Sequence, residues 1–153
     1  MKSPPHRSAA AKPAVDPLIR RQAWFRYQLR RFLRFSEQAA RASGLTPQQY
    51  QLLLGVAGYT GRGWATISEL SEFLQERHNA VVGLVERGAR RGLLRKEPGA
   101  GDRRFVRVFP TAKGLAILEK LSSLHRQELT RVQARLLTFA KSKPKAIPKT
   151  PGA

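Results

Sequence analysis

The sequence predicts a mainly α-helical chain carrying one small β-hairpin, and three observations lead there. Apolar residues recur every three or four positions between 17 and 92, and two Thr-led capping boxes open helices inside that stretch. The period then shortens to a strand-like one over 93–97 and 105–109, with Pro98, Gly99 and Gly101 between the two runs. Helical spacing returns at Thr111 and holds to Phe139.

Each element has a local cause. Pro17 suits a first helical turn, and the run to Ser43 places Phe25, Leu29, Phe32 and Leu33 at helical spacing before Gly44 stops it. Thr46-Pro47-Gln48-Gln49 opens a helix that buries Leu52, Leu53 and Val56, and GYTGRG at 58–63 reads as a loop. Thr66-Ile67-Ser68-Glu69 opens a short helix with Leu70, Phe73 and Leu74 on its apolar side. After a polar break at 75–77, Val81, Val82, Leu84 and Val85 carry another helix to Gly92, a good left-handed stop. The last helix carries Leu118, Leu121, His125, Leu129, Val132, Leu136 and Phe139 at intervals of three or four, more apolar surface than one small core covers. A second copy is the expected cover. His125 on that stripe reads as a core or dimer-interface histidine, with a pH switch as the alternative.

Composition narrows the function. Among 153 residues, 29 are Lys or Arg and 10 Asp or Glu, a formal charge of +19 that points to a polyanionic partner. A hydrophobic share of 41% excludes a wholly disordered polycation. The absence of cysteine removes disulfides, Cys-ligated zinc, iron–sulfur clusters and thiol chemistry, and His6, His78 and His125 stand far apart. No cofactor or metal is expected. No run reaches membrane-spanning length and the N-terminus has no signal-like apolar core, so a cytoplasmic, nucleoid-associated protein is expected. Charge is uneven: +6 over 17–42, −2 over 43–76 and +7 over 77–113. Residues 1–16 and the Lys/Pro-rich 141–153 read as disordered tails around a domain at 17–140.

Helix, loop, helix, short turn, helix and a glycine-rich basic hairpin is the order of a winged helix-turn-helix lobe, here 45–113. In such a lobe the second helix of the turn enters the major groove with its first polar residues at base edges. Those residues are Arg77, His78 and Asn79, followed on the same helix by Val82, Arg87, Arg90 and Arg91. Arg pairs with guanine and Asn with adenine, although Asn79 also suits a helix cap and Arg77 a solvated surface. Arg95, Lys96, Arg103, Arg104 and Arg107 flank the hairpin, a density of positive charge suited to phosphates.

The stretches LTPQQYQLLLGVAG (45–58), ISELSEFLQERHNAVVGLVERGARRGLLRKE (67–97) and GDRRFVRVFPTAKG (101–114) resemble the MarR family of bacterial winged-helix transcriptional regulators. Asp102-Arg103-Arg104 matches the family's wing signature, and Thr111-Ala112-Lys113-Gly114 its Thr-x-x-Gly helix start. The resemblance implies a homodimer whose helices at 17–43 and 115–140 interlock, with two lobes spaced for a pseudo-palindrome. It also implies a wing arginine in the minor groove, Arg104 first and Arg103 second, oriented by Asp102. Gly83 and Gly88 depart from the family pattern: either the helix stiffens on DNA, or a bulky neighbour packs against Gly88.

The family's usual effectors, small aromatic or phenolic anions, imply a crevice between the dimer helices and the lobe. Trp24, Tyr27, Tyr50, Tyr59 and Trp64 are candidates to line it, with Arg20 or Arg26 for a carboxylate; core packing is the alternative for these aromatics. The expected function is a sequence-specific, ligand-responsive repressor binding double-stranded DNA. An architectural, nonspecific DNA binder is the alternative. No motif of enzyme chemistry is present, so no catalytic role is expected.

Overall fold

In the computed structural model the described residues are 15–99 and 105–141, without the side chains of 138–141. Residues 1–14 and 142–153, most of the expected tails at 1–16 and 141–153, and the hairpin residues Asp102, Arg103 and Arg104 lie outside them.

The first helix, α1 (Pro17–Ala42), starts one residue after Asp16, whose carboxylate accepts a 2.7 Å bond from the Leu18 N–H. Asp16, read from sequence as part of a tail, is therefore the helix cap. Helix α2 (Pro47–Leu54) begins at the Thr46 capping box, closed by Thr46 Oγ1 on the Gln49 N–H and Gln49 Oε1 on the Thr46 N–H. A π turn continues it over Gly55–Tyr59, so Gly58 and Tyr59, expected in a loop, are still helical. Strand β1 (Ala65–Thr66) was not anticipated, because two residues carry no legible period. Its Thr66 also caps α3 (Ile67–Leu74) through a second capping box with Glu69.

Helix α4 (His78–Arg90) follows a turn in which Gln75 takes a left-handed conformation at φ 55°, and Gly92 turns the chain at φ 69° beyond it. The hairpin strands β2 (Leu94–Pro98) and β3 (Val106–Pro110) each lie one residue later than their sequence signal. The sheet runs β1-β3-β2, antiparallel throughout, with Ala65 opposite Val108 and Arg95 opposite Phe109. Helix α5 (Ala112–Lys141) packs back along α1.

The core joins α2, α3, α4, the sheet and the start of α5 through Leu52, Leu53, Val56, Leu70, Val81, Val85, Val108 and Leu121. Gly88 sits inside this packing: a Cβ there would stand 2.9 Å from Leu94 Cδ1, which identifies Leu94 as the bulky neighbour. Leu118, Leu121 and His125 of the α5 stripe are buried, whereas Leu129 is 52% exposed. Phe25, Leu29, Leu115 and Leu137 also stand in solvent, so α1 and α5 leave apolar surface uncovered.

Candidate nucleic-acid interface

Helix α4 separates its faces cleanly. Val81, Leu84, Val85 and Gly88 point into the core, while Arg77, His78, Asn79, Val82, Arg87 and Arg90 are exposed. The inward set repeats every three or four residues, which forces the remaining positions onto one outward stripe. Arg77, not Asn79, occupies the N-cap position, and it makes no side-chain cap bond. Asn79 stands one residue inside the helix with its amide in solvent, which removes the capping explanation for it. Arg77 and Arg87 form no ion pair among the described residues, so their charge faces outward unneutralised.

Other arginines of the basic set are committed inside the lobe. Arg91 reaches across to Gln49 Oε1 and to the Gly44 carbonyl at 2.8 Å, tying the end of α4 to the turn after α1. Lys96 pairs with Glu86, joining β2 to α4, and the Lys96 hydrogen bond and charge hold the Glu86 carboxyl below its ordinary value. Arg95 pairs with Glu97 and lies over the Phe109 ring at 4.3 Å. Arg107 donates to the Pro98 carbonyl at 3.2 Å and approaches Glu97 at 3.6 Å.

Register explains this second group. Arg95 opposes Phe109, and Trp64, just before β1, continues that row with its ring 5.9 Å from Phe109. Arg62 closes the row 3.8 Å over Trp64 and bonds Glu69 at 2.6 Å through both carboxylate oxygens. Stacked guanidinium and indole groups stiffen the base of the hairpin and set its angle to the lobe. The sequence offers Trp64 either a ligand crevice or a packing role, and the structure gives it the packing one; the signal for its place is the alternation of Arg107 and Phe109 about the buried Val108.

The five candidate ligand aromatics do not converge. Trp24 and Tyr27 lie on the N-terminal half of α1, Tyr59 stacks 5.1 Å from Phe73, and Trp64 belongs to the sheet. Tyr50 alone among them lines the groove between α1 and the lobe, a cavity of about 380 Å³. Arg20 and Arg26 do not line it. Behind Tyr50 sits His125, 4% exposed, with its Nδ1 2.7 Å from the Leu121 carbonyl and its ring against Phe32, Phe35 and Tyr50. Burial raises the Tyr50 hydroxyl pKa. Among the described residues no group of three His, Cys, Asp or Glu is placed to hold a metal ion, and no helix is long and apolar enough to cross a membrane.

An exposed basic helix seated beside a three-stranded hairpin sheet defines a winged-helix, DNA-binding class of protein. The model of the MarR family matches residues 43–104. The M. tuberculosis transcriptional regulator MOSR, solved in complex with DNA, is 31% identical with a TM-score of 0.55 over 71% of this chain and 77% of its own. AbsC, a MarR family transcriptional regulator from Streptomyces coelicolor, is 20% identical with a TM-score of 0.67 over 82% of this chain and 84% of its own. A mutant of S. aureus MepR, bound to an oligodeoxyribonucleotide, is 19% identical with a TM-score of 0.60 over 75% and 83% of the respective chains. No curated protein sequence matches. The chain belongs to the MarR family, whose members are DNA-binding transcriptional regulators.

Proposed function

We propose that the protein is a sequence-specific regulator that binds a pseudo-palindromic duplex as a homodimer and releases it on binding a small molecule, acting as a repressor at the nucleoid. The observation that carries this reading is the outward stripe of α4: Arg77, His78 and Asn79 stand exposed at its N-terminal end, where a recognition helix meets base edges, and Val82 and Arg87 follow along the exposed side. Arg95 braces the hairpin, and the wing signature Asp102-Arg103-Arg104 supplies the minor-groove arginine, Arg104 first and Arg103 second, with Asp102 orienting it. The groove beside Tyr50 is the effector site, because it touches α1 on one side and α3 and α4 on the other.

Selection of bound sites from random duplexes, followed by titration of the selected site and a scrambled one at about 150 mM salt, tests the proposal. The selected site binds at least about a thousandfold tighter; equal affinities leave only nonspecific binding. The charge of +19 favours that second, architectural reading. It requires removal of 141–153 to abolish most of the affinity, whereas a sequence-specific regulator loses a modest amount, equal on all duplexes. Arg104→Ala weakens binding to the selected site by about 1–3 kcal/mol while the dimer stays folded; unchanged affinity in a filter-binding titration removes the wing from recognition.

A further inference from the structure

We propose that the groove between α1 and the lobe takes a flat aromatic cation, with Glu37 and Glu76 selecting the charge. This deepens the effector reading given above and rests on it, and it reverses the anionic chemistry that the family resemblance implies.

The walls are apolar and aromatic, supplied by Tyr50, Phe73 and Leu84, and the cavity of about 380 Å³ suits a fused-ring molecule. Its charged lining consists of Glu37 from α1 and Glu76 from the turn between α3 and α4; no lysine, arginine or histidine lines it. Neither carboxylate is in an ion pair among the described residues, although the chain holds 29 basic side chains. Ser36 also lines the groove at 4% exposure and adds a hydroxyl to its polar lining.

Range decides which charge governs. The net charge of +19 attracts anions to the surface as a whole, but salt screens exposed charges beyond roughly 8–10 Å. The charged side chains that line the groove are the two carboxylates, and the segment 43–76 that builds most of its wall is itself −2. An anion entering here loses hydration and meets like charge. A cation meets opposite charge in an apolar, aromatic-lined groove.

The test uses the full chain without DNA and three probes of one shape: (1-naphthylmethyl)trimethylammonium, neutral 1-naphthylmethanol and anionic 1-naphthylacetate, each titrated calorimetrically. The ammonium probe binds tightest, by about tenfold or more over the acetate. In Glu37→Gln/Glu76→Gln its Kd rises about tenfold while that of the neutral probe moves less than about twofold. Helical circular dichroism checks that this isosteric variant is folded, and Leu74→Trp, which fills the groove, blocks ammonium binding. Acetate binding as tightly as the ammonium overturns the proposal. So does an ammonium Kd indifferent to the double variant or to Leu74→Trp, or the failure of all three probes to bind. Duplex release is read separately: ammonium binding that leaves DNA affinity unchanged upholds the charge selection and removes the effector role.

Discussion

Asn79 shows how one residue divides between two explanations that the sequence leaves equal. Asparagine is a favoured helix cap and also a natural partner for adenine, and only its place relative to the first turn separates the two. With Arg77 at the cap position, Asn79→Ala costs the helix little, and its effect falls on recognition. The expected outcome is relaxed preference at one base pair of each half-site, measured by titrating single-position operator variants. A uniform loss over all variants instead makes the side chain a structural one. Glycines divide in the same way. A Cβ at Gly83 meets only the flexible Arg87 Nη1 at 3.3 Å, whereas at Gly114 it lies 2.3 Å from the Leu93 carbonyl oxygen. Gly83→Ala therefore stabilises by up to about 1 kcal/mol through helix propensity. Gly114→Ala destabilises by about 1–3 kcal/mol, since backbone has to move. Urea midpoints of the two variants shift in opposite directions. The same contact accounts for the Thr-x-x-Gly start of α5: Thr111 Oγ1 donates to the Gly92 carbonyl at 2.6 Å and accepts from the Gly114 N–H at 3.1 Å, drawing Gly114 against Leu93.

Among the elements, α3 depends most on a single side chain. Burial alone would raise the Glu69 pKa, but bonds from the Thr66 N–H, from Arg62 and from the Thr66 hydroxyl, with the Arg62 charge, bring it below the ordinary carboxylate value. A carboxyl depressed in the folded state stabilises fully above its unfolded pKa, about 4.3, and loses that contribution as pH falls through the lower folded value. Glu69→Gln keeps an acceptor for the Thr66 N–H, as Gln49 does for Thr46, but loses the charge pair with Arg62, so it is less stable than the parent at pH 7 by about 0.2–1 kcal/mol. The difference narrows as pH drops below about 4; a gap constant from pH 7 to 3 in urea titrations contradicts this. Both capping boxes were legible in sequence because their residues lie within four positions of one another. Strand β1 was not, since its pairing with β3 joins residues about forty positions apart and two residues hold no period. The outward stripe of α4 was legible from apolar spacing, while the capture of Arg91 by Gly44 and of Arg95 by Phe109 was not.

In the molecule as a whole, the described residues of α1 and α5 leave a set of large apolar side chains uncovered. Phe25 and Leu29 are 50% and 45% exposed and lie on one face of α1, with Leu115, Leu129 and Leu137 sharing a face of α5. Covering such side chains contributes about 1.5–3 kcal/mol each. Light scattering of the parent should therefore give the mass of two chains. Phe25→Asp/Leu29→Asp should give one chain that keeps its helical signal and loses tight duplex binding. A double variant that stays dimeric moves the interface elsewhere.

The sequence by itself determined the order of helices and hairpin, the two capped starts, the outward basic stripe and the excess of positive charge. Each of these follows from neighbours within a few residues or from a count. Tertiary structure alone decided which arginines face solvent and which brace the lobe, where Trp64 and Tyr50 stand, and that the groove presents Glu37 and Glu76. Those outcomes depend on side chains from distant segments meeting in space, and no local periodicity encodes which partner a long, flexible charged side chain will find.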